Sequence, residues 1–266
     1  MVALSTAIRL ASLAAPLFLG AGPILPNRDQ QSSSIQIPEA IQKLHPLPQE
    51  ELFVAYSRGN SYLIEGKFED ALISLDLAEE INKEASDVYL TRGIVNEKLL
   101  HWEDALRDYN KAREIQKKKS LFGREDPTIL SNIANAEAGL LRWEDSYRDF
   151  SRSSEMDGNF MAPKIGKALV AYELDRKKEG LAIMKEILNR YPDTFTDGMG
   201  AVAVMSFGVN QAMEGEELER NLELYKNAVA QDSRYGDIEW LRDTRRWPPS
   251  MVSALEALLK KGSILN

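Results

Sequence analysis

The sequence predicts an all-α fold in which helical hairpins stack as a solenoid, and three observations predict it. A pattern of an aromatic residue, two acids, a small residue and a larger one recurs at residues 68–72, 102–106 and 143–147. The first two copies are 34 residues apart and the next two 41. Another small residue stands twelve positions before the small residue of each copy, at Gly59, Gly93 and Ala134. Small residues at two fixed points let antiparallel helices approach closely, and because one hairpin cannot bury its apolar side, the copies must stack and leave a concave face.

Composition narrows the classes of function. The length of 266 residues suits one large or two ordinary domains, but the repeat favours a single array. A net charge of −8 and a pI near 5.1 argue against a general nucleic-acid binder, which would carry a basic surplus. The chain has no cysteine, and its two histidines, His45 and His101, belong to no cluster with metal-ligand spacing, so no metal site is expected.

Residues 1–25 are predicted to be a targeting signal or an anchor. Arg9 is the only charge before an apolar run that extends from Leu10 to Leu25. This run is short for a membrane span, which needs roughly 20 residues, and typical of a secretory signal. A cleaved export signal, or the thylakoid-transfer half of a plastid targeting sequence, is favoured, and an uncleaved anchor is the alternative. The expected location is therefore exported, plastid or thylakoid, in the lumen or at the membrane.

Residues 26–49 contain four prolines and a run of three serines, which predicts an extended linker. The helical array is predicted over residues 50–232, with about five hairpins. Gly66 marks the turn of the first hairpin, and Asp126 with Pro127 begins the third as cap and first helical residue. The fourth hairpin, 162–174 with 177–189, keeps a small residue at Gly180.

The fifth hairpin is predicted at 198–213 and 216–231. Its first helix has almost no polar side from Gly200 to Met205 and should be buried between neighbours. Residues 233–266 are predicted to form capping helices, 238–246 and 249–261, because the last apolar face of a solenoid needs a polar-sided cover.

This pattern resembles the tetratricopeptide repeat, a helix-turn-helix of 34 residues. The matching residues are Gly59, Tyr62, Ala71, Ala78, Tyr89, Gly93, Ala105, Tyr109, Ala112, Ala134, Ser146 and Phe150, and more loosely Ala168, Gly180 and Pro192. The resemblance implies a right-handed superhelical solenoid with C-terminal capping helices. It also implies protein binding, since members of this family mostly bind proteins, with many different partners.

The end of the chain resembles the tails of tetratricopeptide proteins from cyanobacteria and chloroplast thylakoids. The residues concerned are 238–242, 245–249 and Met251-Val252. This resemblance implies a photosynthetic cell and a role in assembling a thylakoid protein complex.

The register of a tetratricopeptide repeat turns one set of side chains toward the concave groove. The candidates are Phe53, Tyr56, Asn60, Thr91, Ile94, Asn132 and Asn135. Asparagine can both donate to and accept from the backbone of an extended peptide, and tyrosine is a rigid anchor. The alternative is that the asparagines satisfy neighbouring backbone or face solvent. Family members that clamp a terminal carboxylate share an asparagine at the position of Asn60, but their other clamp positions carry residues that this chain does not have there. An internal peptide segment, rather than a chain terminus, is therefore the expected partner.

A second candidate patch is the densest basic and aromatic cluster of the chain. Its members are Trp240, Arg242, Arg245, Arg246 and Trp247. Arginine and tryptophan together could hold an acidic partner or stack on a ring. The alternative is that both tryptophans belong to the core of the cap.

No catalytic residue and no cofactor are predicted. The recurring acidic pairs, such as Glu103-Asp104, lie in the first turn of a helix, where carboxylates interact favourably with the helix dipole. The sequence therefore predicts a non-enzymatic scaffold that binds an extended segment of another protein. Two alternatives remain: a small-molecule or pigment carrier, or an enzyme, that uses the helix from Gly198 to Gly208 as a pocket wall, and a membrane-tethered spacer. Membrane association, partner identity and oligomeric state are left open.

Overall fold

The computed structural model describes residues 48–191 and 196–263, so the predicted signal or anchor, most of the predicted linker and Pro192 lie outside the described residues. Within these ranges the secondary structure is helical and contains no strand, which confirms the all-α prediction. The described chain falls into two compact units, residues 48–124 and the part that follows Arg124.

The first unit contains two helical hairpins. Its helices are α1 (Pro48–Ile64), α2 (Phe68–Ile81), α3 (Ser86–Lys98) and α4 (Trp102–Lys119). The aromatic residues Phe68 and Trp102 begin α2 and α4, and an acidic pair follows each in the first turn. The cap position of α3 is Ala85, and Ser86 is the first residue of the helix.

Close helix approach explains the small residues of the first unit. A Cβ on Gly59 would lie 2.7 Å from Cγ of Leu75, and a Cβ on Gly93 would lie 2.5 Å from Cε1 of Tyr109. Distances this short would force the packed side chains to move. The carbonyl oxygen of Ala71, the small residue twelve positions after Gly59, would lie 3.5 Å from the Cβ on Gly59. The predicted pairing of small residues is therefore confirmed.

The second unit contains three further hairpins and the C-terminal segment. Its helices are α5 (Pro127–Gly139), α6 (Trp143–Met156), α7 (Met161–Glu173), α8 (Lys177–Arg190), α9 (Thr196–Val209), α10 (Gly215–Gln231) and α11 (Pro249–Ser263). Asp126 caps α5 as predicted, since its Oδ1 accepts a hydrogen bond of 2.7 Å from the Thr128 amide. In the hairpin of α5 and α6, the hydroxyl of Ser146 donates to the Ala134 carbonyl at 2.7 Å.

The turns inside four hairpins share one backbone conformation. Gly66 has φ 75°, and the corresponding residues Leu100, Leu141 and Asp175 have φ 64°, 60° and 60°. This left-handed conformation costs a residue with a Cβ about 1–2 kcal/mol. The later turns therefore store backbone strain that glycine avoids in the first.

Replacing Leu141 with glycine is expected to raise the free energy of unfolding by about 0.5–1 kcal/mol, because relief of the left-handed strain exceeds the entropy that glycine adds to the unfolded chain. Leu141 is largely exposed, so little packing is lost. Urea unfolding followed by circular dichroism measures the change. The matched control is Leu141→Ala, which keeps the Cβ and should bring no gain. A glycine variant less stable than the alanine variant would contradict the strain argument.

Helix α9 is the most buried helix of the second unit, as its apolar sequence predicts. Residues 197–205 are all buried, and α9 packs against α8, α10 and α11. It ends at Val209 rather than Met213, because residues 210–213 turn the chain into α10. The predicted capping helix 238–246 is also shorter than expected, because its π-helical turn, Trp240–Thr244, ends at Thr244. A 3-10 turn, Ser233–Gly236, precedes it. Pro248, which disfavours a helical conformation in the residue before it, ends the segment.

Across residues 48–191 and 196–263, none of the helices combines the length and apolar character that a membrane crossing requires.

Candidate protein-binding surfaces

The structure separates the predicted groove residues by exposure. In the first unit Phe53 is 56% exposed and Asn60 is half-buried, whereas Tyr56, Thr91 and Ile94 are buried. In the second unit Asn132 and Asn135 are buried. Five of the seven side chains are therefore largely covered within the chain, and binding of a partner by any of the seven stays a prediction.

Tyr56 and Thr91 are buried because they join α1 to α3. The Tyr56 hydroxyl lies 3.2 Å from Oγ1 of Thr91 in a hydrogen bond between the two helices. Burial raises the pKa of Tyr56, and the hydrogen bond to Thr91 partly offsets this increase. Asn60 donates its Nδ2 to the Tyr56 carbonyl at 3.3 Å, one helical turn back. The alternative in which an asparagine satisfies neighbouring backbone therefore describes Asn60.

Asn132 and Asn135 lie on α5, where residues 129–138 are all buried. Nδ2 of Asn132 and both amide atoms of Asn135 have no hydrogen-bond partner among the described residues. A buried amide without a partner is costly, so a hydrogen-bond partner for either side chain would stabilise the unit. Both side chains are thus largely covered within the unit, and their role in a groove stays a prediction.

An exposed stripe of side chains on α1 contains two of the predicted groove residues, Phe53 and Asn60. Phe53, Ser57, Asn60 and Ile64 are four, three and four residues apart, which places them on one face of the helix. Phe53 is 56% and Ile64 83% exposed, and Ser57 and Asn60, which lie between them on this face, are half-buried. We call these four residues the α1 stripe. It combines an aromatic and an aliphatic side chain with a polar centre, a composition that suits an extended peptide.

A charged cluster that the sequence analysis missed links three helices of the first unit. Arg92 of α3 donates to both oxygens of Asp108 on α4, from Nε at 3.0 Å and from a terminal nitrogen at 2.8 Å. Its other terminal nitrogen donates to Asp76 of α2 at 2.8 Å and forms an ion pair with Glu79. Nδ2 of Asn96 donates to Asp108 at 3.0 Å. We call these residues the Arg92 cluster.

The electrostatics of the Arg92 cluster favour the charged form of the arginine. Burial alone would lower the pKa of Arg92, but the hydrogen bond and charge of Asp108, followed by Glu79 and Asp76, raise it above the ordinary value. The guanidinium also lies over the Tyr89 ring, 5.4 Å from its centroid. The cluster therefore fastens α2, α3 and α4 together, and its role is structural.

The second predicted patch is mostly interior. Arg245 and Trp247 are each 2% exposed, so neither can lie on an open surface. Trp240 is half-buried and meets the Tyr235 ring edge-on, with 5.5 Å between centroids. Arg242 is exposed and pairs with its neighbour Asp243 at 3.0 Å. The prediction of an exposed patch is therefore wrong for Arg245 and Trp247, and the alternative in which the tryptophans form cap core describes Trp247.

Arg245 is buried because it neutralises Asp197 of α9. Its Nε donates to Oδ1 of Asp197 at 2.9 Å, and a terminal nitrogen pairs with Oδ2. The Tyr235 hydroxyl donates to the same carboxylate at 2.7 Å, and burial, with the nearby charge of Asp197, raises the pKa of Tyr235. This ion pair connects the C-terminal segment to the buried helix, and so its role is structural.

Acidic and histidine side chains within the described ranges form no group of three or more that could hold a metal ion.

Comparison with known proteins identifies the fold. No protein-family model matches the sequence, and no curated protein matches it. Solved structures do match. The pilF protein of Pseudomonas aeruginosa is 15% identical with a TM-score of 0.56, and the match covers 82% of this chain and 91% of that one. A thermophilic TPR protein of Thermus thermophilus is 15% identical with a TM-score of 0.53, over 80% of this chain and 100% of that one.

A third similar structure is YrrB, described as a TPR protein with an unusual peptide-binding site. It is 16% identical with a TM-score of 0.52, and the match covers 73% of this chain and 91% of that one. Identities this low indicate a shared fold and nothing finer. Together with the hairpins and their paired small residues, these similarities show that the chain has the fold of the tetratricopeptide repeat proteins.

Proposed function

We propose that the protein is a non-enzymatic scaffold that binds an extended segment of another protein through the α1 stripe. The observation that carries this proposal is the exposure of Phe53 and Ile64, two large apolar side chains on one helical face with polar residues between them. The two side chains stand about three helical turns apart, so they can hold two separate side chains of an extended segment that runs along the helix. The peptide-binding site in the description of YrrB adds support from a protein of the same fold.

The α1 stripe has the chemistry that a peptide backbone and its side chains need. Phe53 can fill the role of an aromatic anchor, which loses little conformational entropy when a partner covers it. The carbonyl oxygen of the Asn60 amide can still accept a backbone N–H, because the described hydrogen bond of Asn60 uses Nδ2. Apolar anchors at the two ends of the stripe would fix the direction of the bound segment.

The double variant Phe53→Ala, Asn60→Ala tests the α1 stripe. Peptides selected from a random library on the purified full chain should bind at micromolar dissociation constants, and the double variant should weaken them about 10–30-fold, as expected for the loss of two central contacts. Fluorescence anisotropy with labelled peptides measures the affinity.

The matched control is Ile73→Ala, Leu77→Ala, which removes two exposed apolar side chains from α2 instead. This control should change the affinity less than twofold. Equal loss in both double variants, or unchanged binding in the α1 variant, would remove the stripe from the proposal.

A carrier or enzyme built on the helix from Gly198 to Gly208 has less support. A Cβ on Gly208 would collide with the Tyr172 hydroxyl, and a Cβ on Gly200 would lie 3.3 Å from the Tyr235 ring. Both glycines are therefore explained by close packing of α9 against neighbouring aromatic residues. The hollow at the end of this helix, which Gly208 and Val209 help to line, is open and otherwise mostly charged.

The finer proposal is that the partner belongs to a thylakoid protein complex in a photosynthetic cell, with the chain exported or delivered to the plastid. It is supported by the resemblance of residues 238–252 to tails of thylakoid tetratricopeptide proteins. Fractionation of native cells with an antibody against the chain tests it, and absence of the protein from the thylakoid fraction would overturn it.

A further inference from the structure

A basic pocket lies between α6, α7 and α8 in the second unit. Its volume is about 170 Å³, and the side chains that matter here are Ser154, Lys164, Lys167, Ile183, Glu186 and Arg190. Three cations thus face one acid around a cavity that could hold several waters or one small ionic group. We call it the α6–α8 pocket.

Its position corresponds to that of the Arg92 cluster. Phe68 and Trp143, which begin α2 and α6, are 75 residues apart, and so are Ser86 and Met161, which begin α3 and α7. The same displacement relates Trp102 to Lys177, the first residues of α4 and α8. Residues 75 apart in these helices therefore occupy equivalent places in their hairpins.

The equivalent positions keep the cation but lose its partners. Lys167 stands where Arg92 does, so a positive charge is retained. The two acids of α2 that bind Arg92, Asp76 and Glu79, correspond to Ser151 and Ser154 of α6. The acid of α4, Asp108, corresponds to Ile183 of α8. Three carboxylates around a half-buried cation are thus replaced by two hydroxyls and an apolar side chain.

The cations of the pocket are not neutralised from within. In the described part of the chain, Lys164, Lys167 and Arg190 form no ion pair, although Glu186 lies on the same rim. Lys167 is held over the Tyr147 ring, with Nζ 5.3 Å from the centroid, and Arg190 lies 5.7 Å from the centroid of Tyr191. Aromatic faces orient a cation without cancelling its charge. The positive charges therefore remain available to a ligand.

We propose that the α6–α8 pocket binds one anionic group, a carboxylate or a phosphoryl group, in the place that acidic side chains take around Arg92. Lys164 and Lys167 would donate charge-assisted hydrogen bonds to it. Ser154 lines the α6 side of the pocket, where its hydroxyl donates to the Ser151 carbonyl at 2.7 Å. Ile183 and Ile187 line the α8 side of the pocket and offer no competing charge there. The pocket shares no residue with the α1 stripe. The proposed anion site and the proposed scaffold function can therefore be tested, and overturned, independently of each other.

The test is the variant Lys164→Gln, Lys167→Gln in the full chain, with inorganic phosphate and a hexaglutamate peptide as probes at one fixed ionic strength. Isothermal titration calorimetry or amide chemical shifts give the dissociation constants. At least one probe should bind the unmodified protein, and the variant should weaken that binding by about tenfold or more, because it removes two charge-assisted contacts. Circular dichroism confirms that the variant is folded.

The control Lys185→Gln, Lys226→Gln removes the same charge from two exposed lysines outside the pocket and should change affinity less than twofold. Equal weakening in both variants would show general surface attraction and overturn the site, and so would absence of binding by either probe. Peptide binding about tenfold tighter than phosphate binding would identify carboxylates of a polypeptide as the source of the anion. Comparable or tighter phosphate binding would identify a free anion, and both results support the site.

Discussion

Replacing Arg245 with alanine is expected to lower the free energy of unfolding by about 3–5 kcal/mol, since removal of one partner leaves the other as an uncompensated buried charge. Asp197 is 6% exposed and would keep, within the described part of the chain, the Tyr235 hydroxyl as its side-chain partner. Such a loss is a large share of the stability of a typical domain, about 5–15 kcal/mol. Urea unfolding followed by tryptophan fluorescence reports the change, because Trp247 is buried in the same C-terminal segment.

Two further variants separate burial from mere loss of charge. Arg242→Ala removes an exposed arginine three positions away and should leave the unfolding midpoint nearly unchanged. The double variant Asp197→Leu, Arg245→Met should recover much of the lost stability, because it removes both charges and keeps the interior filled. An Arg245→Ala variant within about 1 kcal/mol of the unmodified protein would contradict the structural role of the pair.

Replacing Glu137 with glutamine is expected to stabilise the protein by about 2 kcal/mol at pH 8. Glu137 of α5 is 8% exposed, and its Oε2 has no hydrogen-bond partner in the described residues. Burial, followed by the charges of Asp149 and Asp145, raises the pKa of Glu137 to about 7, and Arg148 and Arg142 only partly oppose this. The folded protein therefore resists the ionisation that the unfolded chain undergoes freely.

The sign of the pH dependence follows from these two states. The ordinary pKa of a glutamate is 4.5, so between pH 4.5 and 7 the folded state keeps a proton that the unfolded state has released. The contribution of Glu137 to the free energy of unfolding consequently falls as the pH rises through this window and is constant above it. Denaturation curves between pH 4.5 and 8 should show this fall in the unmodified protein and a smaller one in Glu137→Gln.

Glu155→Gln, at an exposed position of α6, is the matched control and should leave the pH profile unchanged. Glu137→Asn is informative for another reason. In the hairpin of α3 and α4 the equivalent pair is Asn96 and Asp108, joined by a hydrogen bond of 3.0 Å, so asparagine should restore that bond to Asp149. A Glu137→Gln variant that is less stable than the unmodified protein at pH 8 would contradict the electrostatic argument.

The hairpins could be predicted from the sequence because their determinants are local. An aromatic residue followed by two acids begins a helix, and a small residue twelve positions earlier has to face the partner helix. Trp102 and Trp143 begin helices as expected, and Gly66 adopts the positive φ expected of a turn. These features depend on residues within one hairpin, so pattern and spacing are sufficient to find them.

Exposure could not be predicted in the same way, because it depends on the helices that pack alongside. Tyr56 points to the face that a repeat register assigns to the groove, yet it is covered where it meets Thr91 of α3. Arg245 is buried by a partner 48 residues earlier in the chain. The Arg92 cluster joins residues 13 and 16 positions apart on three helices, and no single helix carries its signature. Side-chain pairs between different helices therefore cannot be predicted from the sequence pattern of any one helix.

The pairing of Asp197 with Arg245 also sets an order on biosynthesis. The ribosome synthesises α9, which carries Asp197, before it adds Arg245, whose guanidinium neutralises the Asp197 carboxylate. The two residues are 48 positions apart in the chain. Until Arg245 has emerged, Asp197 can only remain hydrated, so α9 cannot be enclosed in its final surroundings. Domains generally fold from the N-terminus during synthesis. Closure of the last hairpin must therefore wait until Arg245 has left the ribosome, whereas the hairpins upstream are free to form before that point.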